Sequence, residues 1–189
     1  VSILVIRAVV LTGAIMLLIV VPEAESAIQT ETEHYMHDMV TANGISLDQF
    51  IAAGNLNNKI SMKNTFGNVA LQGVDSSYAY IVSGSDGMML CHPEGEKVGQ
   101  PVENARIKKV VEDIQMGSRP ETSVVEYKYK GTAKMAAYYV TKKEPTVLVI
   151  TADKDDILAP INNMIKTGVV AFAIVVVIFA FLAAFITGR

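Results

Sequence analysis

The chain has no tryptophan and only one cysteine, Cys91. A single thiol excludes an intrachain disulfide, so stability outside a reducing compartment must come from packing. Charge of neither sign dominates: 16 Lys and Arg stand against 19 Asp and Glu, a net of −3. That balance excludes the basic surface of a nucleic-acid binder. Histidine is scarce as well, at three residues, His34, His37 and His92. His34 and His37 lie three apart on a helical pattern and point to no third ligand, so they are read as a solvated face. Cys91 and His92 are neighbours on a strand pattern and face opposite sides of it, so they cannot grip one ion together. No nucleophile and base are placed together anywhere, and neither enzyme chemistry nor a cofactor is expected.

What the chain has in abundance is long apolar runs, one at each end. Gly168 to Ile186 carries no charge over 19 residues, a length that matches a hydrocarbon core of about 30 Å. The first 21 residues are as apolar but include Arg7, close enough to the end of a span to snorkel to the interface. The stretch runs straight into a charged helical pattern, which reads as an uncleaved anchor rather than a signal peptide. Arg7 and Arg189 place both termini in the cytoplasm by the positive-inside rule. Residues 22–166 then face outward and hold all 19 acidic and 14 of the basic residues, 14 − 19 = −5. The expected organisation is a transmembrane helix over 1–22, an extracytoplasmic sensor domain over 23–158, and a second transmembrane helix over 159–189. The chain is thus a two-pass protein of the cytoplasmic (inner) membrane.

Between the spans, Ile28, Tyr35, Met36, Met39 and Val40 recur at helical spacing, and Asn43-Gly44 is expected to end that helix. Ser46-Leu47-Asp48-Gln49 fits a capping box that opens a second short helix running to Gly54. A third helix is expected over Met62 to Leu71. After Gly73 the period changes to that of strands: Ser77 to Ser83 and Met88 to His92 form a hairpin across Ser85-Asp86-Gly87. The amphipathic stretch from Glu103 to Met116 ends at Gly117. Three strands follow, Ser123 to Tyr129, Thr132 to Val140 and Thr146 to Ala152, and from Asp153 a helix containing Pro160 enters the second span. The order predicts an α+β fold, a five-stranded antiparallel sheet with a long N-terminal helix and helices packed on it.

Several segments resemble the single Cache domain of bacterial methyl-accepting chemotaxis receptors, a PAS-like sensor family. They are Tyr78 to Pro93 (YAYIVSGSDGMMLCHP), Lys97 to Pro101 (KVGQP), Val125 to Tyr138 (VEYKYKGTAKMAAY) and Val147 to Ile157. The resemblance implies a PAS-like sheet, a homodimer, and a pocket bordered by His92. Phe185 to Arg189 resembles the start of a HAMP linker, which implies a cytoplasmic region that reports to a chemotaxis kinase array. The family often has Trp before the last strand, where this chain has Pro145-Thr146, so the ligand class is read from the residues themselves.

Tyr78 and Tyr80 share a strand face, as do Tyr127 and Tyr129, and as do Lys134, Ala136 and Tyr138. Converging, these faces with His92 make a pocket of phenolic hydroxyls, a cation and an imidazole, suited to a small carboxylate such as a short organic acid. The alternative reading is that the tyrosines pack across strands and Lys134 is a surface charge. Arg106, on the helix over the sheet, is the remaining candidate contact. The expected function is a chemoreceptor region that binds a small extracellular solute and signals through the second span. A histidine kinase or cyclic-nucleotide enzyme sensor is the alternative, with a hydrolase or plain anchor behind it.

Overall fold

The computed structural model describes residues 2–187. Val1, Gly188 and Arg189 lie outside the described residues, and with Arg189 the charge expected to orient the second span. In chain order come α1 (Ser2–Ile15), a π-helical segment (Met16–Val20), α2 (Val21–Ala52), α3 (Lys59–Phe66), β1 (Tyr78–Ser83) and β2 (Met89–Cys91). They are followed by α4 (Ala105–Gln115), β3 (Ser123–Tyr129), β4 (Thr132–Val140), β5 (Thr146–Asp153) and α5 (Lys154–Thr187). The expected five-stranded antiparallel sheet is present, in the order β2-β1-β5-β4-β3.

The chain divides into two units. One comprises the helical residues up to Thr30 and from Leu158 onward. Its two apolar runs are long enough to cross a membrane and are almost wholly exposed, which in water would be a large aggregating surface. Within this unit Gly13 is buried, and a Cβ there would come within 2.5 Å of the Phe172 ring.

The other unit, Glu31–Ile157, carries the sheet. Side-chain alternation gives the sheet two apolar faces. Ala79, Ile81, Cys91, Met135, Ala137, Leu148, Ile150 and Ala152 point to one, where they pack with Met36, Val40, Leu47 and Ile51 of α2 and Met62 and Phe66 of α3. Val82, Met89, Val140, Val147 and Val149 point to the other, where they meet Ile107, Val110 and Val111 of α4.

Three helical expectations are corrected. Asn43-Gly44 does not end the first helix, and Ser46 to Gln49 do not open a second, because α2 runs unbroken to Ala52. Its buried residues, Met36, Val40, Gly44, Leu47 and Ile51, form one stripe straight through the glycine, so packing outweighs the local stop signal. Gly44 permits a close approach: a Cβ there would lie 2.2 Å from Cγ of the Tyr139 ring. Asp48 caps nothing; its carboxylate accepts the Tyr139 hydroxyl at 2.7 Å and the Lys142 backbone N–H. The third helix is shorter than Met62 to Leu71 and starts earlier, because Asn58 caps it by accepting the Ser61 N–H at 3.0 Å.

Candidate functional site

The site is built on the α4 face of the sheet. Pairing register places Tyr78 beside Thr151, Thr151 beside Ala136, and Ala136 beside Val125. One row along is Asp153, Lys134 and Tyr127. Ala136 and Thr151 are small, and their row forms a low floor. Tyr127 uses it: from β3 its hydroxyl reaches past β4 to Thr151 Oγ1 on β5, at 2.8 Å. The irregular register between Ile81 and Val82 in the β1–β2 pair is where β2 turns off toward His92. His92 then lies 5.2 Å from the Tyr78 ring and 5.8 Å from the Tyr80 ring, on the face opposite Cys91.

Hydrogen-bond accounting fixes what each group offers. Thr151 donates its one hydroxyl proton to the Met135 carbonyl at 2.8 Å, so Tyr127 is the donor in their bond and its oxygen lone pairs stay available. Asn104 Nδ2 donates to the Tyr80 hydroxyl at 3.3 Å, leaving the Tyr80 proton free to be given. His92 Nδ1 accepts the Glu94 backbone N–H at 3.0 Å, so the neutral ring carries its proton on Nε2. The Tyr78 hydroxyl has no hydrogen-bond partner among the described residues. Lys97 Nζ donates to Tyr129 at 3.3 Å, and Tyr129 donates in turn to Glu103. Lys97 also stands 3.5 Å from Glu94.

Burial shapes the electrostatics. Desolvation, with the neighbouring Tyr127 adding, pushes the Tyr78 phenol up to about 12. Desolvation likewise raises Tyr80 and Tyr127 above the usual phenol range. His92 is buried and held below the usual imidazole range, first by desolvation and then by the Lys97 charge. Burial is the largest influence on the Lys97 ammonium and works against it, but the bond to Tyr129 and the surrounding Tyr129, Glu94 and Tyr78 together outweigh it and leave its pKa raised. At neutral pH the cleft therefore offers neutral phenols, a neutral imidazole and one firmly charged ammonium.

Tyr78, Tyr80, His92, Tyr127 and Tyr129 all line one concavity. Its other walls are Met89, Lys97, Val102, Glu103 and Asn104. Arg106, Lys134, Ala136 and Tyr138 do not line it. Arg106 is exposed and its Nε donates to the Glu126 carbonyl at 3.4 Å. Lys134 pairs with Asp153 and stands 5.7 Å from the centre of the Tyr78 ring, behind the pocket wall. Ala136 is fully buried in the sheet, and Tyr138 packs with the valines under α4.

Lys97, Glu103 and Asn104 were not anticipated in the cleft. A signal for Asn104 exists: an Asn directly before an amphipathic helix is a cap. Its Oδ1 accepts the Arg106 N–H at 2.9 Å, so α4 begins at Ala105 rather than Glu103. Glu103 thus belongs to the loop, which lets its side chain reach Tyr129. The interior void is about 20 Å³, the room of roughly one water. Among the described residues no three His, Cys, Asp or Glu side chains gather where a metal ion could sit.

No protein-family model matches the chain, and no curated protein matches it. Solved structures with a similar fold include the extracellular domain of the proposed histidine kinase mmHK1S-Z2, at 22% identity and a TM-score of 0.43, over 53% of this chain and 38% of that one. The ligand-binding domain of Mlp24 with asparagine is similar at 16% identity and a TM-score of 0.39, over 55% and 38%. That of the Pseudomonas aeruginosa amino acid chemoreceptor PctB with L-Arg is similar at 20% identity and a TM-score of 0.37, over 58% and 40%. The chain spans about two fifths of the length of each.

Proposed function

We propose that this chain is the sensing region of a two-pass membrane receptor, a single Cache-like domain that takes up a small carboxylate and reports it through α5. The observation that carries the reading is the donor set of the cleft. The Lys97 ammonium, the His92 Nε2–H and the Tyr80 and Tyr78 hydroxyls converge on one void. Two carboxylate oxygens offer about four acceptor sites, which matches such a set of donors.

The cleft also adjoins the start of α5. Lys134, over the Tyr78 ring, pairs with Asp153, the last residue of β5. Lys154 pairs with Glu126, 2.6 Å apart. The Asp153 N–H donates to Ser76 Oγ at 3.0 Å, and the Ser76 N–H donates to Asp156 at 3.1 Å. A solute that shifts Tyr78 thereby shifts the first turn of α5. The solute must bind the two positions of that turn unequally for a signal to pass. The receptor acts as a homodimer with both termini in the cytoplasm, where the region after α5 engages the chemotaxis kinase array.

The full chain in lipid nanodiscs, screened by thermal shift and calorimetry against short carboxylates, amino acids and nucleobases, tests this. Short carboxylates are expected to stabilise it most, and His92→Ala or Tyr127→Ala to weaken the best of them. Unchanged affinity in both variants removes the site. Failure of every solute to bind moves the reading to a receptor for a solute-loaded binding protein.

A further inference from the structure

We propose that Glu103 is a built-in competitor for the carboxylate ligand, holding the cleft shut until a solute displaces it; the inference rests on the reading just given. Glu103 already sits as a carboxylate in the anion site. It accepts the Tyr129 hydroxyl, which itself accepts from Lys97 Nζ at 3.3 Å. Its carboxyl is held below the usual range by that bond first, with Lys97, Lys130 and Lys108 adding to it.

The position of Glu103 between two spaces gives the arrangement its logic. On the inner side is the void of about 20 Å³ bounded by the tyrosines and His92. On the other is a concavity of about 210 Å³ whose own walls are Gln100, Pro101 and Lys108. Lys97, Glu103, Met89 and Val102 line both. The outer chamber has room for a small solute and the inner one has room for a water. A solute carboxylate approaching Lys97 meets the like charge of Glu103 first. Two carboxylates cannot share one ammonium and one phenol without strong mutual repulsion. Glu103 is exposed and precedes the Asn104 cap, so it can swing into water without unwinding α4. Its departure frees the Tyr129 hydroxyl proton, leaves Glu94 as the carboxylate paired with Lys97, and joins the two spaces.

Calorimetric titration of the full chain in nanodiscs with acetate, which has no ammonium group, decides the matter. Glu103→Gln and Glu103→Ala are both expected to bind acetate about tenfold more tightly than the parent chain, as loss of one charge-assisted bond implies. Lys97→Met is expected to abolish binding in every background. Because Glu103 is exposed, its variants should unfold at the temperature of the parent, and the measurement is made on protein that does. Equal or weaker acetate binding by both Glu103 variants overturns the competitor while leaving the sensor reading in place. Absence of acetate binding in parent and variants alike overturns the competitor, and the sensor reading falls with it only if every solute of the screen also fails to bind.

Discussion

His92 shows how one hydrogen bond decides a residue's chemistry. Pro93 keeps its backbone extended, the Glu94 N–H occupies Nδ1, and the remaining nitrogen must carry the proton. Because burial and Lys97 lower its pKa, the folded chain prefers the neutral ring. The unfolded chain takes up a proton first as the pH falls below about 6.5. The stabilisation is therefore complete above that pH and is lost as the pH falls toward the folded-state pKa. Acid unfolding followed by circular dichroism is expected to show a steeper loss of stability below about 6.5 in the parent than in His92→Gln. Equal slopes would show that His92 is protonated in the fold.

At the scale of elements, α2 is where local rules and packing diverge. Gly44→Ala should stabilise an isolated helix by nearly 1 kcal/mol. In this chain the added methyl meets the Tyr139 ring, and the net effect is expected to be a loss of about 1–3 kcal/mol, measured by thermal unfolding. A gain would mean that α2 and β4 separate easily at that point. The same contrast explains what could be read in advance. The bounds of β3 and β4 follow from their alternation and the Lys130-Gly131 turn, where both residues have positive φ. The true length of α2 was hidden because its stripe passes through Gly44, a residue that packs against Tyr139, 95 positions away. In the cleft, Tyr78, Tyr80, Tyr127 and Tyr129 were legible because strand alternation fixes their faces, and His92 because the family resemblance puts it at the pocket border. Lys97 and Glu103 were not legible: Lys97 ends a three-residue 3-10 turn, Gly95–Lys97, Glu103 projects from a loop, and no periodicity governs either.

Considered as a whole, the sheet unit ends in a clasp around the first turn of α5. Ser76 accepts from Asp153 and donates to Asp156, and Ile157 is buried in the α2 side of the core. Ser76→Ala removes the acceptor, and amide exchange at Asp153 is expected to rise by about tenfold, the scale of one lost hydrogen bond. Exchange unchanged there would mean that the clasp does not depend on the Ser76 hydroxyl. The lone thiol has a different consequence. Cys91 is 3% exposed, and burial raises its pKa, so little reactive thiolate forms at neutral pH. The native chain is thus nearly silent to maleimides. A cysteine introduced at an exposed position of α5, such as Met164→Cys, is expected to take essentially all of a thiol-specific label. The chain can therefore carry a spin label at one chosen position, with no need to remove the residue that packs its core.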